Sequence, residues 1–566
     1  MRLPFSLILL ALTSLTTAQG DASAAPSLQA SDTSTISAAL DPSFAGLGIE
    51  PSNLYSFTGG AQANQLSINL LQNLADYAGA PPHLRIGGNT QDYMIYDSSY
   101  TNFNVENTAD PTGQGDSDIF TIGPGYFEAL DRFPQGTPIT YGLNLAYSLT
   151  DWNTRIVDTA TAAVTKLSNV KLVSFEIGNE PDLYHENNIR DVSYAGPQYT
   201  SEWLARADQV WTKVLQPAGI PSKFFEPAAT ASTDGTTFDI NSLIKFGITA
   251  GSDNADTFVF GWNQHDYYYF TGVTNYGLTI DHMLQLQTTE DQFAYWTTQV
   301  DAANKSSLPY YLREMSSAGP TGLQNISDSF AGALWTLNFF CYAASIGIAS
   351  VEMHMTDNSY ASPWQPININ NQSPHVRPNY YAFAAVAQLI GSGNGTSQIA
   401  KLPLTSVTSA YTAYVKAYSY YRQGQLAGFV LINGKTSNTT DTSKSMNFSL
   451  SLPNNFANQK LWLQYMSSTG ASATSGVTWN GVSFEQTDDG TPQTVKTTTD
   501  TLDIGSDGKV TVSVPDSQAI VATINFGLGG VNTAIKKSDA LARSQGSVVL
   551  ICISIVMSFW VCDWII

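Results

Sequence analysis

From about residue 45 to 390 the chain alternates short apolar runs with longer amphipathic ones. The short runs predict eight strands, at Ala45–Glu50, Leu84–Gly88, Ile139–Leu145, Leu172–Ile177, Phe224–Glu226, Phe258–Trp262, Tyr310–Arg313 and Ala349–Met355. Between them, apolar residues recurring every three to four positions predict helices that include Gln65–Ala78, Thr154–Leu167, Tyr199–Leu215, Glu290–Ala303, Ser327–Ile346 and Tyr380–Leu389. Repeated strand-helix units build parallel sheets covered by helices. Eight of them predict an α/β fold, a (β/α)8 TIM barrel, with its chemistry at the C-terminal strand ends. Beyond Gly391-Ser392-Gly393 the pattern changes to two-residue alternation of Val, Tyr, Thr and Ser between Gly and Asn turns. Tyr414–Tyr421, Leu426–Ile432, Met446–Leu452, Leu461–Tyr465 and Val510–Val514 carry it, and they predict a C-terminal antiparallel β-sandwich.

The expected organisation is a signal peptide at 1–18, an N-terminal segment at 19–44, the catalytic barrel at 45–392, the β-sandwich at 393–530 and a membrane-attachment segment at 531–566. Ser27–Ala39 is Ser- and Thr-rich and alternates at Thr35-Ile36-Ser37-Ala38, so it is expected to return to the C-terminal sheet. The leader reading rests on the apolar run Leu3–Leu12 followed by Thr16-Thr17-Ala18, the small-residue spacing of a cleavage site. At the other end, small residues at Ser538-Asp539-Ala540 or Asn532-Thr533-Ala534 precede a polar spacer and the apolar run Val548–Ile566. That order is expected of a GPI-anchor signal, with a single membrane-spanning helix as the alternative. Either way the body is expected outside the cell, attached to its surface. Six N-x-S/T sequons, at Asn304, Asn325, Asn371, Asn394, Asn438 and Asn447, are then candidate glycosylation sites.

Composition narrows the function classes. The net charge of -21 argues against nucleic acid as a partner, because binding to phosphates needs clustered cations. Cys552 and Cys562 lie in the apolar tail, and Cys341 sits in the apolar stretch Ala331–Ile346, where a buried core thiol is expected. Neither a dinucleotide-binding glycine fingerprint nor an H-E-x-x-H motif occurs. No cofactor and no metal is expected.

The chemistry points to two carboxylates. In Leu172-Val173-Ser174-Phe175-Glu176-Ile177-Gly178-Asn179-Glu180-Pro181, an apolar strand delivers Asn-Glu-Pro at its end. A carboxylic acid there can protonate a glycosidic oxygen, and Asn179 can hydrogen-bond the sugar 2-hydroxyl. In Pro309-Tyr310-Tyr311-Leu312-Arg313-Glu314, a second apolar strand ends in a carboxylate. Glu180 ends the fourth strand and Glu314 the seventh, and in a closed barrel these ends face each other across the mouth. For the pair to work, Glu180 must stay protonated and Glu314 ionised, held by donors such as Tyr267 or Arg85. Arg85 and Asn89 follow the second strand, and Glu50 ends the first, where it can bind sugar hydroxyls. Glu176, Glu226, Glu352 and Asp357 lack comparable contexts and read as structural. His354 and His375 read as ordinary polar residues, without metal-ligand spacing.

Taken together, R-I-G-G-N-T-Q-D-Y at 85–93, F-E-I-G-N-E-P-D at 175–182, H-D-Y-Y at 265–268, E-M-S-S-A-G at 314–319 and S-D-S-F-A at 327–331 resemble glycoside hydrolase family 79 of clan A, the β-glucuronidase and heparanase family. The resemblance covers about residues 40 to 530. It implies retention of configuration, with Glu180 as acid/base, Glu314 as nucleophile, Asn179 as its neighbouring Asn and Tyr267 as the sixth-strand Tyr. The chain departs from the family pattern after the nucleophile. There, members that bind a uronic carboxylate often place a Tyr followed by glycines, whereas this chain has Gly319-Pro320, and Pro has no N–H.

The leading expectation is an exo-acting, retaining β-glucuronidase that removes glucuronic acid or its 4-O-methyl form from extracellular oligosaccharides or polysaccharides. A neutral-sugar β-glycosidase, such as a glucosidase or xylosidase, remains open. So does a non-catalytic carbohydrate-binding or wall-remodelling surface protein.

Overall fold

The computed structural model describes residues 19–26, 36–107, 119–231, 236–439 and 444–529. The leader at 1–18, the attachment segment at 531–566 and most of Ser27–Ala39 lie outside the described residues.

The strands of the barrel are Ala45–Ile49, Leu84–Ile86, Pro138–Leu143, Lys171–Ile177, Phe225–Glu226, Trp262–Tyr267, Tyr310–Ser316 and Ser350–Met355. They form one parallel sheet in the order six, seven, eight, one, two, three, four, five. Parallel bridges from Phe225 to Val259 and from Thr230 to Gln264 close five onto six, giving the TIM-type barrel. Outward residues such as Leu47, Ile86, Phe175 and Leu312 are fully buried beneath the surrounding helices.

Two expectations are corrected. The sixth strand is not Phe258–Trp262 but Trp262–Tyr267, with Val259 in a single bridge. Its sequence, Trp-Asn-Gln-His-Asp-Tyr, is polar because Asn263, Gln264 and His265 are buried and each hydrogen-bonds another element, Asn263 donating to Glu176, Gln264 accepting from the Tyr310 hydroxyl and His265 meeting Glu180. An apolar scan therefore passes over it. The helix expected at Glu290–Ala303 is two, Leu286–Gln292 and Trp296–Lys305, broken where Phe293 stacks on Trp296 at 4.1 Å between ring centres.

Two helices, Phe330–Ser345 and Asn379–Ser392, join the barrel to the β-domain. Every residue from Phe330 to Ala344 is buried, as expected of a helix apolar on all faces and covered on both sides. The cover is a large antiparallel sheet containing Ser397–Lys401, Val415–Arg422, Gln425–Asn433, Gln518–Ile524 and Lys460–Ser467. Val430, Ile432, Ala519 and Val521 belong to the barrel-side core, while Phe429, Leu431, Ile520 and Ala522 belong to a second core. The sheet is thus apolar on both faces. Its second face packs on a three-stranded sheet of Gln19–Ala24, Ser445–Ser451 and Lys509–Pro515, completing the sandwich. Gln19–Ala24 pairs in parallel with Ser445–Leu450, and Ile36 bridges Ala400, so the chain visits the β-domain before it enters the barrel.

Candidate active site

A β-bulge sets the seventh strand's chemistry. Leu312 pairs with Gln264 and Val351, but Glu314 pairs with His265, and Met315 with Met353, so Arg313 is the extra residue. Simple alternation would turn Arg313 and Glu314 to opposite faces. The bulge brings both side chains to interior partners. Arg313 donates to Glu226 at 2.7 and 2.8 Å and to Glu352 at 2.9 Å. Glu314 accepts from Arg85 Nη1 at 2.5 Å and from the Tyr267 hydroxyl at 2.6 Å.

Arg85 is fully buried and is itself held by Glu176, through Nε to Oε2 at 3.0 Å and through Nη2 to Oε1. Its Nη2 also donates to Asn179 Oδ1 at 2.7 Å. Glu176, which the sequence left as structural, orients the cation beneath both Asn179 and Glu314. Asn179 donates in turn to Asn89 Oδ1 at 2.9 Å.

After the fourth strand the chain turns sharply. Gly178 has φ +82°, and Glu180 itself takes the left-handed conformation, φ +48° and ψ +56°. For a residue with a Cβ this costs on the order of 1–3 kcal/mol and persists only where the surroundings fix it. The surroundings here are the Ala229 carbonyl, which accepts the Glu180 N–H at 2.6 Å, and Asp92. The buried Asp92 carboxylate accepts the backbone N–H groups of Asn179, Leu145 and Ala146 and the Tyr184 hydroxyl. One carboxylate thereby ties together the loops that follow the second, third and fourth strands.

Two histidines also stand at the pair, His265 of the H-D-Y-Y segment and His354, which in the sequence reads as an ordinary polar residue. His265 Nδ1 lies 3.2 Å from Glu180 Oε1 and 3.8 Å from Glu314 Oε2, so the ring stands between the two carboxylates. His354 stands between Glu314, 3.8 Å away, and Glu50, 3.4 Å away. Glu50 also accepts the Thr90 N–H at 2.8 Å. Gly88, at φ +147°, leaves room for it, since a Cβ there would fall 2.4 Å from Glu50 Oε2. Among the seven residues singled out, Glu314, Tyr267, Arg85, Asn179 and Asn89 form one hydrogen-bonded network, and Glu180 stands beside it, hydrogen-bonded to His265, whose ring lies 3.8 Å from Glu314. Glu50 lies at its edge, 3.4 Å from His354, whose other ring nitrogen is 3.8 Å from Glu314.

The electrostatics separate the two carboxylates. Burial, and next the Glu314 charge, push the Glu180 carboxyl up to about 8. Burial would also raise Glu314, but His354, Arg85 and the Tyr267 hydrogen bond, joined by His265 where acid pH protonates that ring, outweigh it and hold that carboxyl far below the ordinary range. Burial, and next the Arg85 charge, depress His265 to about 4, so at neutral pH it is an uncharged ring. One group is thus kept protonated beside another kept ionised, the arrangement that acid and nucleophile roles require. One oxygen of each carboxylate and one ring nitrogen of His265 lie within 4.8 Å of one another. A cation could span such a spacing, but both Glu314 oxygens are already bonded, and Arg85 supplies the positive charge.

A (β/α)8 barrel carrying this pair of carboxylates at its mouth is a glycoside hydrolase. Residues 417–521 match the glycosyl hydrolase family 79 C-terminal beta domain. A β-glucuronidase of Aspergillus niger is 29% identical over 513 residues, covering 85% of this chain and 90% of its own. A β-glucuronidase of Neurospora crassa is 26% identical over 497 residues, covering 78% and 84%. Among solved structures, a 4-O-α-L-rhamnosyl-β-D-glucuronidase from Fusarium oxysporum superposes with a TM-score of 0.71 at 19% identity, covering 88% of this chain and all of that one. The C-terminal domain thus matches a family 79 model, and over most of its length the chain is similar to β-glucuronidases.

Proposed function

We propose that this protein is a retaining, exo-acting β-glucuronidase in which Glu180 is the general acid/base and Glu314 the nucleophile. The observation that carries the reading is the pair itself, two carboxyl oxygens within 4.8 Å of one another whose environments drive their protonation in opposite directions. Separations near 5 Å accompany direct attack by the second carboxylate, and wider ones leave room for a water. In the first step Glu314 attacks the anomeric carbon while the Glu180 proton passes to the departing glycosidic oxygen. In the second, Glu180 takes a proton from water, whose oxygen displaces Glu314 and restores the starting state with configuration retained. Asn179, oriented by Arg85, is the partner for the sugar 2-hydroxyl, and Glu50 for more remote hydroxyls. The chain supplies every group these steps need.

The glucuronide assignment draws on the named relatives, and its proposed natural substrate is an extracellular glycan bearing glucuronic acid or the 4-O-methyl form. One observation favours the neutral-sugar reading. The Gly319 N–H is already donated to the Tyr269 carbonyl at 2.8 Å, and Pro320 has none to offer. Release of p-nitrophenol from the β-glucuronide, with the β-glucoside and β-xyloside in parallel, decides between them. Preference for the glucuronide is expected, and preference for a neutral glycoside would replace the substrate while leaving the mechanism.

We also propose that the protein is exported, glycosylated and held at the cell surface. Five of the six sequon asparagines, all but the half-buried Asn447, are exposed. Enzymatic removal of N-glycans should lower the mass of the protein made in a secreting host. An unchanged mass would remove the glycosylation claim, and detection of the protein in the cytosolic fraction alone would remove the export claim.

A further inference from the structure

The two chemical steps above leave His354 without a part in them, although it stands closest to their centre after Arg85, Tyr267 and His265. It belongs to the eighth strand, Ser350–Met355, which lies in the sheet between the seventh and the first. Each of those neighbours presents a carboxylate to the ring. Nε2 lies 3.4 Å from Glu50 Oε2, just past the first strand, and Nδ1 lies 3.8 Å from Glu314 Oε2 on the seventh.

The ring is held closely there. Its side chain is 6% exposed, and it packs over Gly48, where a Cβ would fall 3.2 Å from Nδ1. Nδ1 is buried and has no hydrogen-bond partner among the described residues. The Glu314 oxygen is thus too far for a hydrogen bond and near enough for charge to act. A neutral imidazole donates from one nitrogen only, whereas a charged one donates from both, so carboxylates on its two sides favour the charged ring. Burial and the Arg85 charge work against that proton, Glu314 and Glu50 work for it, and the two carboxylates prevail. Glu180 and His265 are the other titratable groups that its charge reaches. One cation therefore sits between the group assigned to remote sugar hydroxyls and the group assigned to the anomeric carbon.

We propose that His354 is a positioning residue which couples recognition of the sugar to attack on it, by holding Glu50 and Glu314 to one ring. The coupling rests on Glu314 being the nucleophile, but the state of the ring does not.

The test begins with an NMR titration of the full protein labelled in the imidazole rings of its six histidines. One ring is expected to titrate above the range of a free imidazole, and to fall back toward that range in both Glu50→Gln and Glu314→Gln. Kinetics on p-nitrophenyl β-glucuronide follow. His354→Gln and Glu50→Gln should each lower kcat/KM about tenfold to a hundredfold, the loss that goes with one contact to a charged group. The double variant should fall short of the product of the two losses by about tenfold, because the two residues act as one unit. In His354→Gln the acid limb of the pH profile should move up from strongly acid into weakly acid pH, since Glu314 then takes up its proton more easily. A side chain that only fills space would leave that limb where it was.

A ring that is neutral at pH 6, a ring unmoved by Glu50→Gln, losses that multiply in the double variant, or an unshifted acid limb would each overturn the proposal. Such a failure leaves wild-type turnover and its loss in Glu314→Gln intact. A wild type that cleaves no glycoside sinks the nucleophile reading, and the coupling with it, even where the ring titrates as expected.

Discussion

Two clusters in this barrel have the same composition and different surroundings. Arg85 with Glu176 and Glu314 forms one, and Arg313 with Glu226 and Glu352 the other. Each is a guanidinium between two carboxylates, and both are buried. The second is sealed, with Glu226 and Glu352 wholly inaccessible and tied to Ser174, Thr140 and Ser350. Burial there lifts Glu352 to about 7, an ionisation cost with no reaction to use it. In the first, Glu314 keeps a 7% opening and gains Tyr267 and two histidines. On the proposed mechanism the first cluster serves the reaction because Glu314 reaches the mouth and finds a second carboxyl of opposite protonation there, and the second cluster has neither.

The sharpest way to break that comparison is Glu314→Gln. Turnover should fall by roughly 10⁴-fold or more with the melting temperature little changed, since nucleophile removal acts on the reaction rather than the fold. Appreciable residual hydrolysis would sink the assignment. Arg313→Met should do the reverse. It strands two buried carboxylates, so a stability loss of about 3–5 kcal/mol is expected in denaturant titration, with kcat of the still-folded fraction near wild type. A stable, inactive variant would show that the lower cluster takes part in chemistry.

Tyr267→Phe removes one hydrogen bond to an ionised group, about 1.5–3 kcal/mol, so kcat should drop tenfold to a hundredfold. A change in KM alone would contradict it. The smallest effect is titration of the wild type. With the Glu180 carboxyl near 8 and active when protonated, kcat/KM should be level from about pH 6 to 7, halve near pH 8 and keep falling above it. The ionised Glu314 adds no loss until strongly acid pH. A rise between pH 7 and 9 would exclude Glu180 as the acid.

How much of the site was readable depended on the kind of signal each residue gives. Glu180 and Glu314 stand directly after apolar strands, so local pattern and barrel topology located them together. Asp92, His265 and His354 carry no such mark. Asp92 acts through backbone N–H groups of Leu145, Ala146 and Asn179, far away in sequence, and nothing in its neighbours foretells them. His354 was set aside because metal-ligand spacing was the pattern sought, whereas its partners are carboxylates on the first and seventh strands.

By itself the sequence determined the periodicities, and with them the eight-unit barrel, the alternating β-domain and the two strand-end carboxylates, because burial of apolar side chains imposes those patterns locally. The sixth strand escaped because its interior face is polar, and periodicity in hydrophobicity cannot report a strand whose inward residues are the site. The bulge that turns both Arg313 and Glu314 to interior partners was decided only in three dimensions. It is a register shift between neighbouring strands, fixed by the pairing of Glu314 with His265 and Met315 with Met353, and no property of the seventh strand alone contains it.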